Sequence, residues 1–174
     1  MPNSRSFQHT PHPPESRTLD LAAIPLAEHE AAMRLAIQAA AANPIYPFGA
    51  VIIGAADRAV WAEGVNDTKT NPILHGEIVA INDYVARHAN QGWSEAILYT
   101  TGEPCPMCMS AIAWAGIGGV VYGSSIATLA QIGIAQIKID ASAVRAAAPF
   151  YRGQIIGGVL QAETDALFYN RRRV

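Results

Sequence analysis

The sequence predicts a three-layer α/β/α sandwich built around a central mixed sheet. Helix-forming and β-branched stretches follow one another in the order α-β-β-α-β-α-β-α, a pattern that places helices on both faces of one sheet. Of the 174 residues, 51% are hydrophobic and 15% charged, which suits a chain that buries one large core and excludes the low-hydrophobicity composition of disorder. No internal repeat and no linker divides the chain. We expect a flexible leader over residues 1–20, rich in Pro, Ser, Arg and His, followed by a single domain over residues 21–174.

The elements follow in order. The stretch LAEHEAAMRLAIQAAAA, from Leu26 to Ala42, is dense in strong helix formers, with Met33, Ile37 and Ala40 recurring at helical spacing. PFGAVIIGA and AVWAEGV are β-branched and aromatic runs separated by ADR, which predicts an antiparallel hairpin. The polar DTKTNP that follows is a loop ended by Pro72. A second helix is expected from His75 to His88, with Ile78, Ile81 and Val85 as its apolar stripe. EAILYTT reads as a buried strand, and PCPMCMSAIAWAG as a third helix with prolines in its first turn. GGVVYGS is a further strand. The last third is helix-rich, with a short strand near Ile155 and a final helix ending in FYNRRRV.

Charge and cysteine content narrow the function. Twelve Lys and Arg against fourteen Asp and Glu leave a net charge of −2, which advertises no polyanionic partner. Two cysteines cannot build a stapling framework, and the N-terminus lacks the apolar stretch of a signal peptide, so a reducing, cytoplasmic setting is expected. No apolar run reaches the roughly 18 residues of a membrane span.

Both cysteines stand in EPCPMCM. Cys105 and Cys108, three apart at a helix start, project to the same side, and the free amides and positive end of the helix favour their thiolates. His75, at the start of the helix opened by LHGEIV, can complete a His-Cys-Cys set in which a Zn²⁺ ion keeps its fourth position for water. Glu77 is then free to move protons. The residues alone also admit a redox CxxC pair, half of a structural zinc site, or a helix-capping His75 with a dipole-favoured Glu77. His9 and His12 read as part of a solvated tail.

Together, His75-Gly76-Glu77 and Pro104-Cys105-Pro106-Met107-Cys108 resemble the HxE and PCxxC signature of the cytidine and deoxycytidylate deaminase superfamily of zinc-dependent base deaminases. The resemblance runs from the first helix to Ser124. It implies one zinc per subunit held by His75, Cys105 and Cys108. It also implies a hydrolysis in which Glu77 accepts a proton from water and then returns protons twice, first to a ring nitrogen and later to the departing amine, so that ammonia leaves and a carbonyl remains. Further implications are a small heterocyclic amine as substrate and a homodimer.

Within that superfamily the closest likeness is to guanine deaminases. Phe48 of PFGAVI stands where they stack an aromatic ring on the base, Asn66 where many members bond the base edge, Trp114 where an aromatic walls the pocket, and Tyr169 of the terminal FYN where an aromatic tail closes over it. One departure is Gly133-Ile134-Ala135-Gln136, which lacks the acidic residue those enzymes carry in the corresponding stretch, and Asp140 is out of register with it. A cytosine-type deaminase shares the HGE form, and a tRNA adenosine deaminase could use Arg171, Arg172 and Arg173 on phosphates. A non-catalytic zinc-stabilised binding module is the alternative of another class.

Overall fold

The computed structural model describes residues 18–173; His9, His12 and most of the expected leader lie outside them. A five-stranded sheet runs in the order β2-β1-β3-β4-β5. Its strands are β1 (Gly49–Gly54), β2 (Val60–Val65), β3 (Ala96–Gly102), β4 (Gly119–Ser124) and β5 (Gln154–Ile156). β1 pairs antiparallel with β2 and with β3, whereas β3, β4 and β5 are mutually parallel. The mixed sheet follows from connection length. Residues 55–59 suffice only for the β1–β2 hairpin, and the parallel steps cross over through helices.

Among the described residues six α-helices accompany the sheet: α1 (Leu26–Ala40), α2 (Gly76–His88), α3 (Pro106–Ala115), α4 (Ile126–Gln131), α5 (Ala141–Ala146) and α6 (Gln161–Tyr169). Strand alternation sorts the core into two layers. Ala50 and Ile52 of β1, Leu98 of β3 and Val120 of β4 pack with Ala80 and Tyr84 of α2 and Met109 and Ile112 of α3. Val51, Ile53, Ile97, Tyr99 and Val121 point the other way, onto Met33 and Ala36 of α1. All six residues of β1 and all seven of β3 are buried, as expected of strands covered on both sides.

Two expectations need correction. The buried face of α2 is Gly76, Glu77, Ala80 and Tyr84; Ile78 and Ile81 are half-buried and Val85 is exposed. Counting large apolar residues selected the neighbouring stripe because the core-facing one holds two small residues and a carboxylate. The last helix also stops at Tyr169, and Asn170 caps it, so the three arginines extend beyond the helix instead of ending it.

α2 lies on the hairpin because Gly64 of β2 has no side chain. A Cβ there would collide with the backbone of Gly76 and Ala80. Gly64→Ala is therefore expected to lower stability by about 1–3 kcal/mol as an overpacking change. In denaturant titration the midpoint falls while the slope stays constant; an unchanged midpoint would show that α2 is not held by this contact.

Candidate active site

Two helix starts meet near the ends of β1 and β3. His75 and Cys105 occupy the N-cap positions of α2 and α3, both with extended backbone (φ −68°, ψ 161° and φ −61°, ψ 165°), and neither side chain caps its own helix. Extended backbone is usual at an N-cap, and since neither side chain is spent on its own helix, both are free for another partner. Pro106 takes the first helical position of α3, where a missing N–H costs nothing, and Gly116 ends that helix in the left-handed conformation. Cys108 follows one turn after Cys105 and is fully buried.

The three donors form a nearly equilateral triangle. Nδ1 of His75 lies 3.6 Å from the Sγ atoms of both Cys105 and Cys108, and the two sulfurs are 3.6 Å apart. A disulfide needs about 2.05 Å between sulfurs, so the pair is not one. A tetrahedral centre with zinc bond lengths of about 2.0–2.3 Å spans donor–donor edges of roughly 3.6–3.8 Å, which these residues match. Among the described residues, this is the group of His, Cys, Asp and Glu side chains that could hold a metal ion. Two soft thiolates with one imidazole suit zinc, and three protein ligands leave the open corner typical of catalytic sites.

Electrostatics agree with a cation at that point. The hydrogen bond with Cys108, helped by the His75 ring, pushes the Cys105 thiol down to about 4, while the same bond and burial push Cys108 up. His75 is raised, chiefly by its hydrogen bond to Cys105. A divalent cation is bound by the thiolate forms, so its binding at these sulfurs is coupled to proton release.

Glu77 is 3% exposed, and burial raises its carboxyl above the ordinary range. The Thr100 hydroxyl donates to its Oε1 at 3.4 Å. Gly76, between His75 and Glu77, carries no Cβ because one would press on the Phe48 carbonyl oxygen at 2.5 Å. That close approach sets Phe48 beside the two functional residues.

A cavity of ≈ 520 Å³ opens over His75, Glu77 and Cys105. Phe48 and Asn66 line it. The Phe48 ring is half-buried and packs on Phe168 at 4.7 Å. Asn66 is buried; its N–H donates to the Phe48 carbonyl and its own carbonyl accepts from Asn43 Nδ2. Its Oδ1 accepts from the Thr68 N–H and hydroxyl, while its amide nitrogen has no hydrogen-bond partner among the described residues.

Trp114 and Tyr169 are not brought there. Trp114 is 76% exposed and stacks on Phe150, because it sits about two and a half turns beyond Cys105 on the opposite side of α3. Tyr169 is exposed at the end of α6, while its neighbour Phe168 faces inward. Sequence reasoning passed over Glu103. It lines the cavity, and its two oxygens accept from the N–H groups of Ile126 and Ala141, pinning the starts of α4 and α5. Its signal was a carboxylate directly before PCPMC at the end of a buried strand. The pinned segment brings Gly133 to Gln136 into the lining and leaves Asp140 out, so an amide stands where a carboxylate was looked for.

A sequence profile of the cytidine and deoxycytidylate deaminase zinc-binding region matches residues 26–124. The guanine deaminase of Bacillus subtilis (strain 168) is 38% identical over 112 residues, covering 61% of this chain and 70% of that protein. A tRNA-specific adenosine deaminase of Rickettsia bellii (strain RML369-C) is 31% identical over 123 residues, covering 70% and 81%. The solved guanine deaminase from Nitrosomonas europaea superposes with a TM-score of 0.64 over 90% of this chain and 88% of that one; at 24% identity this is a likeness of fold.

If the triangle holds the metal, purified protein carries one zinc per chain. Cys108→Ser should lose it and melt at lower temperature, because metal binding free energy is part of folding free energy. Metal analysis with calorimetry checks both, and full zinc content in that variant would contradict the ligand set.

Proposed function

Because the chain belongs to the cytidine and deoxycytidylate deaminase family and is a zinc-dependent hydrolytic deaminase, we propose that it acts on a purine-like aminated base, guanine or a close relative. His75, Cys105 and Cys108 hold the zinc, which when bound lowers the pKa of a water toward neutrality and supplies the nucleophile. Glu77 does the proton work. It accepts a proton from the attacking water and passes it to a ring nitrogen as the amine-bearing carbon becomes tetrahedral. It then takes the second proton from the new hydroxyl on that carbon and passes it to the departing amine, so that the C–N bond breaks, ammonia leaves and a carbonyl remains. Burial in the first turn of α2 keeps its carboxylate out of water and beside the metal ligands, and Thr100 orients one oxygen.

The flat apolar face of Phe48 and the amide nitrogen of Asn66 suit a heterocycle, the ring stacking on one and bonding through its edge to the other. The single observation that carries the reading is the 3.6 Å triangle with a buried, metal-independent carboxylate two residues from its histidine. A non-catalytic zinc module has no use for such a carboxylate beside an open coordination position. The greater identity to a guanine deaminase than to the adenosine deaminases of tRNA, with the net charge of −2, favours a small base over RNA.

Glu77→Gln should keep its zinc and lose at least roughly 10²–10⁴-fold in kcat, the usual worth of a positioned acid–base group. Ammonia release from guanine, with zinc content measured on the same sample, checks it. Retained turnover would remove Glu77 from the mechanism, and lost zinc would make it a ligand.

A further inference from the structure

Three arginines line the mouth of the same cavity: Arg171, Arg172 and Arg173. Two of them are held in place. The Arg172 N–H donates to the Pro44 carbonyl at 2.8 Å, and the Arg171 guanidinium donates to the carbonyls of Phe168 at 3.0 Å and Ile132 at 3.4 Å. The side-chain ion pairs among the described residues use Arg34, Arg58 and Arg87, so none of the three is neutralised by one. The carboxylates in the lining do not fill that role. Glu103 is committed to two backbone amides, and Glu77 is buried beside the metal ligands.

Three adjacent cations repel one another, and in a chain of net charge −2 their concentration at a cavity mouth calls for an anion. An unsubstituted purine base provides none at neutral pH. The cavity, at ≈ 520 Å³, falls in the range of drug-sized ligands and exceeds what a bare bicyclic ring fills. We propose that Arg171, Arg172 and Arg173 form an oxyanion subsite, and that the preferred substrate is an amino-substituted heterocycle bearing a phosphate or carboxylate.

The heterocycle end rests on the deaminase function proposed above; the anion end stands on the arginines alone. Guanidinium groups match the oxygens of either anion in paired hydrogen bonds. An RNA would need basic residues continuing past the mouth along a backbone track, and the chain's acidic balance favours a ligand with one anionic group.

Two pairs of probes separate phosphate from carboxylate: guanine against guanosine 5′-monophosphate, and pterin against pterin-6-carboxylate. We expect the zinc-loaded protein to prefer one anionic member over its neutral parent by at least roughly tenfold, in ammonia release and in calorimetric affinity, with the preference shrinking as salt is raised. In the double variant Arg172→Ala with Arg173→Ala, that preference should fall about tenfold. The backbone bond of Arg172 keeps the tail in place, and an unchanged melting temperature confirms folding. Equal or better binding of the neutral parents, or a preference that survives the double variant, overturns the subsite. Tighter binding of a single-stranded RNA oligonucleotide than of the mononucleotide overturns the small-ligand assignment. Should no heterocycle release ammonia, the deaminase substrate is wrong, yet calorimetric binding of the anionic probes, lost in the double variant, still upholds the arginine site.

Discussion

Everything at the site depends on two helix starts being pressed together. His75 opens α2 and Cys105 opens α3, and their donor atoms stand 3.6 Å apart although the residues are 30 positions apart in the chain. That separation is set by packing, not by the motif. Ala80 and Tyr84 of α2, with Met109 and Ile112 of α3, share one apolar layer on Ile52, Leu98 and Val120 of the sheet. Interiors packed at this density resist shifts of even a methylene, so the sheet holds the donor triangle to the size a tetrahedral ion requires. Catalytic geometry placed on helix ends, over strands buried on both faces, is more rigid than the same residues on loops would be.

Charge follows from the same arrangement. Two helix N-termini direct positive partial charge toward the cluster, in the same sense as the shift that favours the Cys105 thiolate and against the burial that raises Cys108 and Glu77. A divalent ion held there would neutralise the two thiolates and leave Glu77 as the negative group for the proton transfer proposed above. The burial that raises Glu77 favours its protonated form relative to an exposed carboxylate, the direction that suits a group which must release a proton as well as accept one.

Much of this was legible in the chain. Residue type and period placed all five strands and the three main helices, since their runs agree with both propensity and burial. The HxE and PCxxC motifs singled out four residues that the structure brings together, because metal binding constrains spacing and residue chemistry together. What escaped was orientation and long-range contact. The stripe of α2 was misjudged because its core face carries Gly76, Glu77 and Ala80 in place of large apolar residues. Trp114 was assigned to the pocket by resemblance, whereas helical phase turns it outward onto Phe150. Glu103 and the segment Gly133 to Gln136 reach the cavity through hydrogen bonds to residues 23 and 38 positions away, which no local pattern reports. The arginines read as the end of a helix; the bond from Arg172 to Pro44 instead folds them over the site.

The proposed specificity and the proposed chemistry lie in different parts of the molecule: Cys105, Cys108 and Glu77 are buried, while Gln136 and the arginines are carried by segments outside the sheet. The claim on which both depend is the coordination itself, and X-ray absorption at the zinc edge tests it most directly. The account predicts two sulfur scatterers near about 2.3 Å and two nitrogen or oxygen scatterers near about 2.0–2.1 Å. A shell without sulfur, or one made of four sulfurs, would contradict it.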